Sequence, residues 1–457
     1  MLQQMRSPTQ ASNTLARDFF KTIAAGILIL LSIPFPSLAH PLKAPPLDHP
    51  HVFTFDQFYL PEDDDAFLTQ GGLILLAELN CSSCHAPPTA WSPLIGPKAG
   101  PNLSGVGSRL DIDALWRLIR SPQHRKPGTQ MPGLFAGNQE SDPDTIEALA
   151  TYLASLNSPL LTTSPGDPAQ GKILYHTLGC VACHEPATDY RPPSLPPEAD
   201  LEAPSLASSP IALADDYSHS ALTAFLLDPL ATHPSSRMPA QHLSPAEAAD
   251  IAAYLHTGRI PAAFQERKIL NLTPQTIALG QTLFAQNRCQ SCHDTGDKHP
   301  PPPPLPALIK LSPSSPTGCL STQTRSGIPD YDLSPLQTRA LRLALTAVQS
   351  QPKPTLTPPE QLTHQLSKLN CFACHDHDGR GGPEIARAPY FTSTLRLLPN
   401  DDLQNLPPSL SSLPSTHTPD SLLKRLTAPN SKPTPGTRMP RFAPSAIQSL
   451  PTLLLPP

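Results

Sequence analysis

Four stretches of the chain carry apolar residues at helical spacing and end on a cysteine. They read GLILLAELNC from Gly72, GKILYHTLGC from Gly171, GQTLFAQNRC from Gly280, and QLTHQLSKLNC ending at Cys371. Apolar positions three and four apart mark one face of an amphipathic helix, so each stretch predicts a leading helix. In the first three, a glycine stands nine residues ahead of the cysteine; in the fourth, Leu362 takes its place and the spacing continues through Leu366 and Leu369. The acidic run Glu62–Asp65 before the first stretch suits the positive end of that helix.

The same periodicity returns downstream of each leading helix. IDALWRLIRSP, HSALTAFLLDPL and PDSLLKRLTAP predict middle helices in units one, two and four. DPDTIEALATYLASL, SPAEAADIAAYLHT and LSPLQTRALRLALTAV predict closing helices in units one, two and three, the first two with Asp or Ser caps and acidic first turns. Unit four ends in SAIQSLPTLLLPP, where proline shortens the last helix. That unit is expected either to lack a full closing helix or to borrow packing from a neighbour. Unit three carries only IKLSPSSPTGCLSTQTRSGIPDYD between its leading and closing parts, full of helix breakers. The expected fold is mainly α: four tandem helical domains at 60–158, 165–258, 270–350 and 358–457. Proline-rich stretches around 157–168, 186–204, 256–265, 300–304 and 351–359 read as stiff linkers or loops.

Chemistry enters with the cysteines. Eight of nine fall into four CxxCH motifs: Cys81, Cys84 and His85; Cys180, Cys183 and His184; Cys289, Cys292 and His293; Cys371, Cys374 and His375. This spacing attaches a c-type haem covalently through both sulfurs, with the adjacent histidine as an axial iron ligand. Structural zinc would need closely paired Cys/His sets, whereas these motifs lie 82 to 109 residues apart. Nine cysteines in 457 residues are also too sparse for a disulfide framework.

Two further signals accompany each motif. A Pro-x-Leu follows at Pro101–Leu103, Pro204–Leu206, Pro306–Leu308 and Pro408–Leu410. A carbonyl at this proline is a candidate acceptor for the histidine's free ring N–H, which would fix the ring. Met131, Met238 and Met439, each followed by proline, then arrive 30 to 34 residues beyond the proline of their own units. They are expected as sixth iron ligands. Unit three has no methionine, which leaves the iron at His293 either open or bound by another group. Cys319, the ninth cysteine, lies in the interval where the other units place methionine. His299 and Lys298 follow His293 too closely to cross to the far haem face, and Lys310 would have to lose its proton.

Leading helix, CxxCH, Pro-x-Leu, middle helix, Met-Pro and closing helix together resemble a class I cytochrome c domain, repeated from about residue 60 onward. The resemblance implies helical domains that each wrap one haem c, four in all. It also implies a protein that carries electrons between a dehydrogenase or respiratory complex and a terminal oxidase or soluble carrier. An open or Cys-ligated iron in unit three would instead suit a peroxidase-like haem enzyme fed by three relay haems. The 62 prolines and the 5% aromatic content fit domains whose apolar bulk is haem.

Composition and targeting narrow the setting. A net charge of −5 without a basic stripe gives no reason to expect nucleic acid as a partner. Arg6, Arg17 and Lys21 precede the apolar run Ile23–Ile33, and Ser37-Leu38-Ala39 then offers a cleavage site after Ala39. Residues 1–39 therefore read as a signal peptide, which places the chain in the periplasm or outside the cell. An uncleaved anchor or peripheral membrane association is compatible with the same run. HDHDGRGG from His375 is expected as a mobile polar loop, with Arg380 a candidate partner for a haem propionate, and Trp91 and Trp116 are expected as packing residues.

Overall fold

The computed structural model describes residues 48–135, 143–160, 162–195, 214, 216–235, 238–257, 272–321, 327–391, 406–413, 417–427, 436–442 and 444–455. The expected leader at 1–39 and the Pro204–Leu206 tripeptide lie outside them. The structure is mainly α, and the only strands among the described residues are two two-residue strands. No helix among the described residues is long and apolar enough to cross a membrane.

Ten principal helices position the sites: α1 (Asp65–Glu78), α2 (Ile112–Arg120), α3 (Pro143–Ser155), α4 (Pro168–Thr177), α5 (His219–Leu227), α6 (Pro245–His256), α7 (Pro274–Gln286), α8 (Pro335–Ser350), α9 (Pro358–Lys368) and α10 (Pro419–Thr427). Their starts follow from local chemistry. The Asp64 carboxylate accepts from the Phe67 N–H, as the acidic run leads one to expect. Ser244 and Ser334 open α6 and α8 with full capping boxes.

The core divides into four clusters, and each touches the first cysteine of one CxxCH motif. The cluster at Cys180 comes mainly from unit two, where α4 packs on α6. The cluster at Cys371 comes mainly from unit four. Units one and three do not fold in this way. The cluster at Cys81 joins Leu68, Ile74 and Leu75 of α1 to Leu341, Leu345 and Val348 of α8. The cluster at Cys289 joins Leu149, Tyr152 and Leu153 of α3 to Phe284 of α7. The leading helix of each unit thus packs on the closing helix of the other. The boundaries 60–158 and 270–350 therefore do not each enclose a core; two interleaved cores span both. Local periodicity identifies each helix but carries no information about which distant partner it meets.

The leading-helix glycines are sites of close backbone approach. A Cβ added at Gly72 would lie 2.0 Å from the Ala340 carbonyl oxygen, one at Gly171 1.9 Å from that of Asp250, and one at Gly280 2.0 Å from that of Ala148. Unit four, with Leu362 instead, closes with only Pro444–Ile447 and Leu450–Leu454. It does borrow packing: Phe53 and Phe58, ahead of α1, lie against its core, and Phe58 meets Phe372 edge-on at 5.1 Å between ring centroids. In unit three the described residues between Leu308 and α8 hold a single 3-10 turn, Leu308–Lys310, and no middle helix.

Candidate haem sites

Each CxxCH forms the same local structure. The residue before the first cysteine is left-handed: Asn80 (φ 60°), Gly179 (φ 106°), Arg288 (φ 59°) and Asn370 (φ 58°). A 3-10 turn follows, and the histidine N–H donates to the carbonyl of the first cysteine at 2.9–3.1 Å in all four. Glycine and asparagine tolerate this backbone; Arg288 is the exception.

The histidine rings reveal the interleaving at the site itself. His375 Nδ1 bonds the Pro408 carbonyl at 2.7 Å within its own unit. His85 Nδ1 bonds Pro306 at 2.8 Å, and His293 Nδ1 bonds Pro101 at 2.8 Å. The Pro-x-Leu signal therefore does supply the acceptor, through the proline's own carbonyl, but units one and three exchange it. The next residue repeats the exchange: the Leu308 N–H donates to Ala86 O at 3.1 Å, and the Leu103 N–H to Asp294 O at 2.6 Å. With Nδ1 as donor, each imidazole presents Nε2 as its free lone pair. Loss of solvent contact holds the His293 and His375 pKa values below the usual one, so both rings favour the neutral, ligating form.

The motifs face each other in two pairs. Asn80 Nδ2 points at Cys292 Sγ at 3.5 Å, joining the first and third motifs. Asn370 Nδ2 points at Cys183 Sγ at 3.4 Å, joining the second and fourth. Two isolated backbone bridges repeat that pairing, Gly133 with Asp330 and Ala240 with Arg441.

Met238 packs against the second-unit core, while Met131 and Met439 are 37% and 39% exposed. Met131 lies on the chain between α2 and α3, the latter a wall of the His293 site, with Phe135 against that core. Cys319 sits with the His85 site. Its neighbour Leu320 packs on the core at Cys81, and Cys319 lies close enough to Cys81 for each thiolate to disfavour the other. Burial, then the nearby Cys84, pushes the Cys319 thiol up to about 11. Cys319, expected as a candidate ligand at His293, thus lies near the cysteines of the His85 motif. His299 is engaged elsewhere, bonding Thr295 Oγ1 at 2.8 Å and the Tyr152 hydroxyl at 3.3 Å.

The remaining expectations divide. HDHDGRGG is a hairpin, with Asp376 paired to Gly381 and His377 to Arg380. Gly379, Gly381 and Gly382 take the positive φ it requires, and the Gly382 N–H bonds Phe372 O and His375 O. Arg380 lies 5.1 Å from the Phe67 ring centroid. Trp91 is buried, its indole N–H on Gln351 O at 3.2 Å, and Trp116 packs against the core at Cys289. Two buried arginines were not anticipated. Arg387 of unit four bonds Val181 O and His184 O of the second motif, and Arg438, beside Met439, pairs with Glu247 at 2.6 Å.

The donor set fits covalently held haem. Four preformed turns each present two sulfurs and a tethered imidazole, and Met131 and Met439 are part-exposed side chains that a flat apolar group would cover. Among the described residues no cluster of three or more Cys, His, Asp or Glu side chains offers a rival metal site. No curated protein and no solved structure matches this chain. Residues 168–259, the second unit, match the cytochrome c family model, which supports a cytochrome c class, covalently bound haem c and haem-based electron transfer for this chain.

Proposed function

We propose that the chain is a tetra-haem c-type cytochrome of the periplasm that relays electrons between two redox partners. The observation that carries this reading is the recurrence of one site four times, each CxxCH turn against its own core. Haem supplies a one-electron iron centre whose potential its axial ligands set. The proline carbonyls orient His85, His293 and His375, and as acceptors they raise the basicity of each ligating nitrogen. Following the interleaved cores, Met131 serves the His293 site, Met238 the His184 site and Met439 the His375 site. The facing motifs give two haem pairs, one at His85 and His293, the other at His184 and His375, with short transfers inside each pair.

The donor would be a dehydrogenase or respiratory complex, the acceptor a terminal oxidase or soluble carrier. The apolar run before Pro34 supports export, with peripheral membrane association through an uncleaved leader as the variant. Pyridine haemochrome analysis against protein mass should give four haems per chain, and mass spectrometry should find haem on all four CxxCH peptides. A lower count on the purified exported protein overturns the reading.

A further inference from the structure

Two of the three isolated backbone bridges among the described residues, Gly133 with Asp330 and Ala240 with Arg441, align the four units independently of their CxxCH motifs. Gly133, Ala240 and Arg441 each stand two residues after a methionine and one after a proline, in Met131-Pro132-Gly133, Met238-Pro239-Ala240 and Met439-Pro440-Arg441. The fourth bridge residue, Asp330, belongs to Ile328-Pro329-Asp330. Its register extends further. SRMPAQHLSP in unit two and SGIPDYDLSP in unit three both pass through a left-handed residue, His242 at φ 54° and Asp332 at φ 51°. Both then enter a capping-box helix at Ser244 and Ser334. Ile328 therefore occupies the methionine position of the third unit.

The interleaving decides which iron this affects. Pro306 and α8, which flank Ile328 in sequence, both meet the His85 motif, through the bond from His85 to Pro306 and the packing of α8 on α1. The His293 motif is closed by the first unit's segment, which carries Met131. Cys319 lies nine residues ahead of Ile328, outside this register, beside the attachment cysteines.

We propose that the haem at His85, rather than the one at His293, lacks a methionine ligand, and that its iron binds a small uncharged molecule beside Ile328. An aliphatic side chain cannot coordinate, and it disfavours an anion, which would lose hydration without gaining a hydrogen bond. The selected ligand class is thus neutral and diatomic in scale, for which carbon monoxide is the probe. This inference rests on the four-haem reading.

The test is carbon monoxide titration of the dithionite-reduced holoprotein, with haem counted on the same sample. The native chain should bind one carbon monoxide per four haems. Ile328→Met should bind none and gain a further sulfur-to-iron absorption band when oxidised. Met131→Ala should bind two. A four-haem sample that binds none overturns the inference and leaves the four-haem reading standing. The same holds if Ile328→Met still binds one. Where the native four-haem sample binds none, loss of a thiolate signal in the electron paramagnetic resonance of Cys319→Ser identifies the sulfur that fills the position. A haem count below four breaks the broader reading instead. The inference then falls too if the Cys81–Cys84 peptide carries no haem, and otherwise the titration still decides it.

Discussion

The two pairs of sites are built from the same repeat and assembled differently. In the pair at His184 and His375, the resolved ring-to-proline bond stays within unit four, and unit two packs α4 on its own α6. In the pair at His85 and His293, every corresponding contact crosses between units. The chain after each histidine differs in stiffness. His375 is followed by 32 residues before Pro408, enough for a hairpin and a return. His293 has 12 before Pro306, and five of them are the consecutive prolines Pro300–Pro304. Polyproline rises about 3.1 Å per residue, so this run forms a strut of about 15 Å that cannot double back. Arg288 Nη1 on Pro303 O and Gln290 Nε2 on Pro300 O hold the strut to its own motif, and its far end delivers Pro306 to His85. Identical local signals thus dock in different places because the linkers between them differ.

The sharpest break of this comparison uses isolated units. Residues 165–258 expressed alone should take up one haem and unfold cooperatively on heating, because most of the cluster at Cys180 is internal to them. Residues 60–158 alone should show no cooperative transition, since Leu68 and Leu75 would lose Leu341 and Leu345. A cooperative melt of the first fragment, followed by circular dichroism, would sink the interleaved arrangement.

A smaller effect is expected where units two and four meet. Arg438 is 6% exposed and pairs with Glu247, whose carboxyl it holds below the usual carboxylate range against the opposing effect of burial. Arg438→Ala leaves that part-exposed carboxylate with its capping bond from the Ser244 N–H but without its cation, at a cost of about 2 kcal/mol in chemical denaturation. No such ion pair serves the bridge between Gly133 and Asp330 among the described residues, so the first pair should be indifferent to this change.

Helix crossings come next. Gly72→Ala forces α1 and α8 apart at the Ala340 carbonyl and should cost about 1–3 kcal/mol, as overpacking does. Gly171→Ala should cost about as much at α6, because the approach is equally close. Equal losses would mean that the interleaved crossing is as tight as the self-contained one; a neutral Gly72→Ala would break that equivalence.

Much of this architecture was legible in the sequence, because its signals act locally. Leading and closing helices, caps and CxxCH turns all depend on residues within a few turns of one another, and the proline acceptor was legible as a signal though not in which unit it serves. The exchange between units one and three was not legible, since a glycine such as Gly72 specifies close approach without naming Ala340. Ile328 is legible by register. Alignment of SGIPDYDLSP with SRMPAQHLSP places it opposite Met238, whereas a search for methionine alone finds only an absence. The buried arginines could not be read, because Arg387 lies 206 residues from Val181 and nothing local distinguishes it from a surface cation.

The smallest expected effect is a pH dependence at the joint between the pairs. His364, on α9, is 5% exposed where that helix meets α1, and neither ring nitrogen has a hydrogen-bond partner. Leu73, Ile74 and Leu356 line the same small gap. Burial lowers its pKa from 6.5 to about 4, with Glu78 opposing and Lys98 and Lys368 adding to the shift. The unfolded chain takes up this proton near pH 6.5 and the native chain only near 4. Stability is therefore complete above about pH 7, falls as pH drops through that interval, and stops falling below 4. His176 adds a similar slope within the second-unit core, where its Nε2 accepts from the Ala187 N–H and its pKa is also lowered to about 4 by burial. For His364 alone the loss between pH 7.5 and 5.5 is about 1 kcal/mol. His364→Leu should flatten that part of the stability–pH curve in urea unfolding and leave the His176 part intact. An unchanged slope in His364→Leu would place the acid sensitivity inside the units and remove it from the joint between them.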